Sequence, residues 1–580
     1  MKQKIDRIVA EKANKWLEGA YDEKSKREVR EMMERDPEAL ADAFYKDLEF
    51  GTGGLRGIMG AGTNRMNVYT VGMATQGLAN YLRKNFGEGP IKVVVGHDSR
   101  HNSRAFAEHV ADIFASNGFT TYLFDALRPT PELSYAIRHL GCKSGVNITA
   151  SHNPKEYNGY KAYWDDGSQV TAPHDKNIIA EVAKITDISQ ILTGRNPENI
   201  HIIGEEVDRP YLEDIYTLAL APEAVRKHHD MKIVYSPMHG AGVAMVPASL
   251  RRWGFTNVSV VKEQAVLDGD FPTVKSPNPE ERATMKMAID LGIAEKADLI
   301  TASDPDCDRI ALALPDDDGE IVLLNGNQTC VLLTYYICRR WKENGRLDGN
   351  QYIVKTIVTS DMMARVAESF GVECCECLTG FKYIAEIIRN NEGTAKKYIG
   401  GGEESFGYLP EDFARDKDAV SSISLAAECA AWAKEMGMTM NDLLKQMYMD
   451  IGFYLEDLVS VVRKGREGAD EIKQMMTVFR SNPPKYICGS PVVTIRDFQS
   501  GETLNVATGA KTPITIERSN VLQFFTREGW SVSVRPSGTE PKIKFYFSVN
   551  LPLPSADRYD EVHGKLEGLI AQMKREFGLE

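Results

Sequence analysis

No stretch of this 580-residue chain approaches the ~20 uncharged apolar residues that a membrane span requires. The opening 36 residues, MKQKIDRIVAEKANKWLEGAYDEKSKREVREMMERD, are charged and helical in pattern, unlike a secretory signal. Nine cysteines follow no regular spacing, and their odd number argues against a disulfide framework. Cys374, Cys375 and Cys377 have no companion Cys or His pair to complete a zinc site, so they read as strand core. Basic surplus is missing too: the net charge is −13, and without a broad cationic face nucleic acid is excluded as the main partner. These absences leave a cytoplasmic chain, monomeric or weakly homo-oligomeric, that takes a small ligand. An anionic ligand remains open to it, because such a ligand sees only local cations.

What is present is ordinary globular material: 43% hydrophobic and 26% charged residues, with a mean hydropathy of −0.32. The length exceeds one core and suggests about three to five domains. Residues 1 to about 50 read as two or three helices. A pattern then repeats three times. Ile91–Val95, Met231–Tyr235 and Tyr352–Val358 are apolar runs, each followed by a polar loop and a helix-like segment. Second runs follow at Phe119–Leu127, Phe255–Glu263 and Gly371–Leu378, and third runs at Gly145–Thr149, Ala297–Thr301 and Lys396–Ile399. Apolar strands alternating with helices predict parallel sheets covered on both faces. From about Gly452 the strands turn amphipathic: Val521–Thr526 and Trp530–Arg535 flank a hairpin turn at Arg527-Glu528-Gly529, and Lys542–Val549 follows. Asp557–Phe577 then has helical spacing. The expected fold is α/β, with three tandem α/β domains of similar plan (1–207, 208–326, 327–453) and a C-terminal α+β domain (454–580).

Ligands of open parallel sheets bind beyond the carboxyl ends of the strands, so the loops after each third strand carry the functional information. The first is Thr149-Ala150-Ser151-His152-Asn153-Pro154. By itself it is equally a strand ending in turn formers or a loop offering a hydroxyl. The second is Ser303-Asp304-Pro305-Asp306-Cys307-Asp308-Arg309. In an extended loop its alternating carboxylates point one way, and oxygen-only ligation suits Mg²⁺ or Ca²⁺. An EF-hand is excluded, since Arg309 stands where glycine is needed and Pro315 where a bidentate glutamate is needed. Nearby Asp316-Asp317-Asp318-Gly319 reads as a solvated acidic turn. The third loop is Gly400-Gly401-Gly402-Glu403-Glu404-Ser405-Phe406-Gly407, where Glu403 and Ser405 offer acceptors to sugar hydroxyls or the glutamates cap a helix. In Arg535-Pro536-Ser537-Gly538-Thr539-Glu540-Pro541-Lys542, hydroxyls, a backbone N–H and a guanidinium fork suit a phosphate, and the prolines stiffen the loop. Phe50-Gly51-Thr52-Gly53-Gly54-Leu55-Arg56-Gly57 is no dinucleotide fingerprint. It serves as well for a flexible turn as for backbone N–H groups and Arg56 approaching an anion.

Taken together, TASHNP (149–154), DPDCDR (304–309), GEESFG (402–407) and RPSGTEPK (535–542) resemble the α-D-phosphohexomutase superfamily, in the family's order and over roughly residues 45 to 550. GTGGLRG, the length and TGFKYI (379–384) look most like the phosphoglucomutase-2/phosphopentomutase branch. The resemblance implies a four-domain cleft with a TBP-like last domain. It implies that Ser151 is phosphorylated and that Asp304, Asp306 and Asp308 hold one Mg²⁺ together with the phosphate on Ser151. Glu403 and Ser405 would read the sugar; Arg56, Arg309, Thr379 and Lys417 would line the substrate. Arg535, Ser537, Gly538 and Thr539 would grip the phosphate that is not reacting. His152, Lys161 and Arg56 would share the acid–base work, and a sugar bisphosphate would act as activator. The implied reaction interconverts glucose 1-phosphate and glucose 6-phosphate, with pentose phosphates the close alternative and mannose phosphates a more distant one. A serine phosphatase and a non-catalytic sugar-phosphate sensor are the rivals from other classes.

Overall fold

The fold was analysed in a computed structural model, which describes residues 7–49, 54–463, 465–537 and 542–579. Among these, no helix is long and apolar enough to cross a membrane. Contacts divide the chain into two compact units. One comprises Met1–Pro315, Gly319–Leu323 and Gly407–Ala431; the other comprises Asp316–Asp318, Leu324–Phe406 and Trp432–Glu580.

The first unit opens with three helices, Arg7–Glu18, Glu23–Arg35 and Pro37–Phe44. Asp22 and Asp36 cap the second and third through their carboxylates. Trp16, stacked on Tyr21 at 4.2 Å, centres their small core. The first sheet follows, in the order Gly54–Ile58, Tyr157–Tyr163, Ser144–Ile148, Lys92–His97, Thr120–Phe124, Ile200–Ile203. The strand Lys92–His97 pairs in parallel with Thr120–Phe124 on one side and Ser144–Ile148 on the other. In the second sheet Ile233–Ser236 pairs in parallel with Val258–Val260 and Leu299–Ser303. The second unit repeats the plan: Gln351–Thr356 lies in parallel between Glu373–Cys377 and Lys397–Glu403. All three sheets therefore contain the parallel strands that the sequence pattern predicts, and each places the first strand of the repeat between the second and third. Its terminal sheet is antiparallel. Leu522–Thr526 and Ser531–Pro536 form the expected hairpin, and Lys542–Leu551 pairs with Phe453–Val462. Helix Tyr559–Glu576 buries Val562, Leu566, Ile570 and Met573.

Three stretches differ from the sequence reading. Residues 157–163, to which the hydrophobic pattern assigns no element, form the strand Tyr157–Tyr163, antiparallel to Ser144–Ile148. The glycine-rich opening continues as the strand Gly54–Ile58, whose alternation buries Leu55 and Gly57 and turns Arg56 outward; Phe50 to Gly53 lie outside the described residues. Of the cysteine run, only Cys377 is buried, because Glu373–Cys377 has a strand neighbour on one side only among the described pairings. Glycine and polar side chains hid the two strands from a hydrophobic pattern.

Those strands carry Arg56 and Lys161, and they approach closely because Gly159 lies between them and the serine loop. A Cβ at Gly159 would stand 2.4 Å from the Thr149 carbonyl oxygen and 3.0 Å from that of Leu55. Both contacts are backbone and cannot rotate away. Gly159→Ala should therefore destabilise the protein by about 1–3 kcal/mol, as overpacking does. It should also lower activity, because Thr149 accepts from the Ser151 amide at 2.9 Å. Denaturant titration and a turnover assay check both; an unchanged unfolding midpoint would refute the packing argument.

Candidate active site

Strand Ser144–Ile148 ends in Thr149 and Ala150, and the chain then turns at Ser151 with φ of 52°. This left-handed conformation is uncommon for a residue with a side chain. It aims the hydroxyl at the loop following Leu299–Ser303. Ser151 Oγ donates to Asp304 Oδ2 at 2.6 Å and lies 3.1 Å from His152 Nδ1. Ser151 is only 3% exposed.

The aspartate loop is a tight turn rather than the extended segment expected from alternation. The Cys307 amide donates to the Asp304 carbonyl at 2.9 Å, Cys307 has φ of 57°, and Asp304 Oδ1 accepts from the amides of Asp308 and Arg309. The turn, not strand alternation, gathers the carboxylates. One oxygen each of Asp304, Asp306 and Asp308 lies within 4.8 Å of the others, and all three residues are buried. Cations answer them. Lys161 Nζ lies 2.7 Å from Asp306 Oδ2 and 3.0 Å from Asp308 Oδ2. Lys417 Nζ lies 3.3 Å from Asp308 Oδ2 and from Asp416 Oδ1. Arg309 pairs with Glu280 at 2.5 Å. Arg56 reaches the serine loop, donating to Asn153 Oδ1 at 3.0 Å.

The electrostatics follow from burial and crowding. Burial first, then the like charges of Asp306 and Asp308, push Asp304 well above the usual carboxylate range. Burial would raise Asp308 as well, but Lys161, Lys417 and Arg309 outweigh it and hold that carboxyl below the usual range. Lys161 is raised, since the two aspartates overcome the effect of its own burial. Burial, then the charges of Arg309 and Arg56, push His152 well below the ordinary imidazole value, so it is neutral at pH 7. Burial of its guanidinium, aided by Arg309 and Arg100 against Asp306, also pulls Arg56 down. Arg56 as a residue is exposed, and solvent screening leaves it a cation.

Two observations test whether a divalent ion fits. Asp306 Oδ1 and Asp308 Oδ1 are buried and take no hydrogen bond, so each of these residues of the cluster keeps an unused acceptor. The gathered donors are carboxylate oxygens only, the set a hard cation such as Mg²⁺ prefers. The residues therefore fit it. Among the described residues one other group has metal-like spacing, His101, Asp268 and Asp270; it is exposed or half-buried, and Lys155 already pairs with Asp270 at 3.0 Å.

Side chains that motif reading missed hold this centre. Thr130 donates from Oγ1 to Asp306 Oδ2 at 2.9 Å and from its amide to the Asp306 carbonyl at 2.8 Å. Asn147 donates to Thr130 Oγ1 at 2.8 Å. Tyr163 and Gln169 both donate to Asp416 Oδ2 at 2.8 Å, fixing the carboxylate beside Lys417. Arg100 binds the serine loop itself. An asparagine inside an otherwise apolar strand was a usable signal for Asn147; the others carried none.

In the second unit, Glu403 ends the strand Lys397–Glu403 and is buried, with Ser405 half-buried beyond it. The neighbouring Glu404 accepts from Thr356 Oγ1 at 3.3 Å and Thr359 Oγ1 at 3.2 Å, while Lys544 and Arg535 oppose the upward push of its burial. Thr379 Oγ1 is buried without a hydrogen-bond partner. The Ser537 amide donates to the Lys542 carbonyl at 2.7 Å across the hairpin that carries the phosphate-type motif. Gly538 and Thr539 lie outside the described residues. Asp316-Asp317-Asp318 is the acidic turn expected, with Asp317 and Asp318 exposed, Asp316 half-buried and Asp317 paired to Lys445 at 2.6 Å.

A hydroxyl held over buried carboxylates at the ends of parallel strands, with lysines and arginines around it, is the arrangement of a phosphoryl-transfer protein. Comparison with known proteins makes the class specific. Residues 47–189, 209–318 and 325–450 match phosphoglucomutase/phosphomannomutase alpha/beta/alpha domains I, II and III, and residues 494–561 match the family's C-terminal domain. The chain belongs to the phosphoglucomutase/phosphomannomutase family. It is 35% identical over 539 residues to a phosphoglucomutase of Staphylococcus haemolyticus, covering 90% of this chain and 95% of the relative. It is likewise 35% identical over 559 residues to one of Staphylococcus aureus USA300, covering 96% and 98%. The open form of Paramecium parafusin, a phosphoglucomutase, superposes with a TM-score of 0.69 at 16% identity, covering 91% of this chain and 95% of that one. That likeness concerns the fold.

The orphaned oxygens make a direct forecast. Asp306→Asn removes charge from the cluster while keeping its shape, so the divalent concentration for half-maximal activity should rise at least about tenfold. A metal titration checks this, and an unshifted midpoint would mean that the cluster serves structure only.

Proposed function

We propose that this protein is a Mg²⁺-dependent phosphosugar mutase that interconverts glucose 1-phosphate and glucose 6-phosphate through a phosphorylated Ser151. The observation that carries this reading is the placement of Ser151 Oγ, 2.6 Å from Asp304 in a cluster with two unpartnered carboxylate oxygens. The long relatives named phosphoglucomutase support glucose as the sugar.

A bare serine hydroxyl is a weak group, whereas phosphoserine holds a transferable phosphoryl of about −1.5 to −2 charge at pH 7. Bound to Asp304, Asp306 and Asp308, Mg²⁺ would withdraw charge from that phosphoryl. Lys161, Lys417 and Arg309 supply fixed positive charge beside the same atoms, so the protein mostly positions and neutralises. In the first transfer a sugar hydroxyl oxygen attacks phosphorus as the bond to Ser151 Oγ breaks, and a sugar bisphosphate forms. The hydroxyl proton leaves to a base of the site. Neutral His152 can take that proton, whereas Lys161, an ammonium tied to Asp306 and Asp308, can only give one, to Ser151 Oγ as its bond to phosphorus breaks. Arg56, a permanent cation, contributes charge to the transferring group. In the second transfer Ser151 Oγ takes back the other phosphoryl. The sugar must present its two ends in turn. Glu403 and Ser405 would read its hydroxyls and Thr379 would line the substrate, while Arg535, Ser537, Gly538 and Thr539 would hold the phosphate at rest. Occasional loss of the serine phosphate is repaired by a sugar bisphosphate, which acts as activator.

Ser151→Ala should lower turnover by roughly a thousandfold or more, as loss of a covalent nucleophile does, with the fold retained. Wild-type protein given a trace of bisphosphate should convert hexose phosphate faster than ribose or deoxyribose 1-phosphate. Robust pentose turnover without hexose activity would transfer the assignment to the pentose substrates. Net phosphate release with no response to bisphosphate would make it a phosphatase.

A further inference from the structure

Arg100 follows the strand Lys92–His97 and is remote in sequence from every family motif above. It is 3% exposed, and its guanidinium is spent on one object. Nη2 donates to the carbonyls of Ser151 and Asn153, both at 2.5 Å. Nη1 donates to the carbonyls of Pro154 at 2.9 Å and Tyr157 at 3.1 Å. Nε lies 3.2 Å from Asp98 Oδ2. Asp98 is itself fixed, because its Oδ1 accepts from the Arg100 amide at 2.9 Å and from Ser103 Oγ at 2.7 Å. The ring of Phe271, buried on the segment between Val258–Val260 and the helix Arg282–Glu295, lies 5.0 Å from the guanidinium carbon. That segment reaches the serine loop again where Ser276 Oγ donates to the His152 carbonyl at 2.9 Å.

We propose that Arg100 is a positioning residue for phosphoryl transfer: it fixes the backbone of the serine loop so that Ser151 keeps its left-handed conformation in both the free and the phosphorylated state. The inference rests on the reading of Ser151 as the phosphorylated residue. Four carbonyls converging on one side chain need a planar donor with two pairs of N–H groups, which arginine has. A lysine at the same place offers three donors from a single point and cannot span them. The Ser151 carbonyl is bonded to the Cα that bears the side chain, so gripping it restrains ψ of Ser151 and with it the frame from which Oγ reaches Asp304. Arg100 therefore acts through the loop and touches no reacting atom.

The test compares wild type, Arg100→Lys, Arg100→Ala and Phe271→Leu, each incubated with glucose 1,6-bisphosphate carrying labelled phosphorus. The rate of label transfer to the polypeptide, kcat, KM and thermal melting are measured. Arg100→Lys should melt as a folded protein, accept label about ten- to a hundredfold more slowly, and show the loss in kcat with KM within about threefold, as misplacement of a reacting group predicts. Adding guanidinium ion should restore part of the label transfer in Arg100→Ala and none in Arg100→Lys, where the ammonium occupies the space. Phe271→Leu should show a smaller loss of the same kind. If Arg100→Ala fails to fold, Arg100→Lys and Phe271→Leu decide the matter. Labelling of Arg100→Lys at the wild-type rate, or a loss confined to KM, would overturn the inference while leaving the serine assignment intact. A wild-type protein that never takes label would instead overturn the serine assignment, and this inference with it.

Discussion

Three carboxylates gathered within 4.8 Å, all of them buried, must be reconciled with one another before anything else in this fold makes sense. At an effective dielectric constant near 20, two unit charges at that separation repel by about 3.5 kcal/mol. The neighbourhood is arranged around that repulsion. Lys161 comes from an antiparallel strand of the first sheet, and Lys417 from the segment before helix Ala419–Glu435. Both reach Asp308, and Lys161 also reaches Asp306. Asp304 receives neither; it accepts hydrogen bonds from the serine hydroxyl and two backbone amides. Among the described ion pairs, the aspartate that no lysine reaches is thus the one facing the Ser151 hydroxyl. A divalent ion bound there would meet acceptors that are already desolvated.

The same constraint explains why the site draws on distant stretches of chain. One loop can supply three aspartates in five residues, but it cannot also supply their counter-charges without shorting the cluster internally. The counter-charges therefore come from elsewhere, and strand pairing sets where. Arg56 is opposite Gly159 and Gly54 opposite Lys161 in the antiparallel ladder between Gly54–Ile58 and Tyr157–Tyr163. That ladder orders a guanidinium and an ammonium on adjacent strands, and the second strand in turn pairs with Ser144–Ile148, which leads to Ser151. Fixing charges through sheet register means that little reorganisation is left for the moment of transfer.

How much of this could be read in the residues depended on whether a feature was local. The nine parallel strands of the three repeats were legible because buried parallel strands are nearly continuous apolar runs. The serine, the aspartates and their order were legible because each motif is a contiguous word. Tyr157–Tyr163 and Gly54–Ile58 were not, since their function requires asparagine, glycine, lysine and arginine where a hydrophobic pattern expects apolar side chains. The aspartate turn was misjudged for a related reason: alternation suggested extension, while Cys307 with φ of 57° curls the loop back on Asp304. Thr130, Asn147, Asp416 and Arg100 act through partners up to 253 residues away in sequence, such as Tyr163 on Asp416. Nothing in a single stretch announces such pairs.

Strain and support meet at Ser151. A left-handed non-glycine residue costs on the order of 1–2 kcal/mol and persists only where its surroundings over-determine it. Here the surroundings are the Thr149 hydroxyl on the Ser151 amide and the Arg100 guanidinium on the Ser151 carbonyl. Both peptide groups of the serine are thereby held, which leaves χ1 as its main freedom. The cycle proposed above would require just that freedom, because Oγ would carry a phosphoryl, give it to one end of a sugar and take it back from the other without the backbone moving. A glycine would adopt the conformation without cost but would bring no oxygen. The serine accepts the strain because its backbone is gripped by groups that have no part in the chemistry.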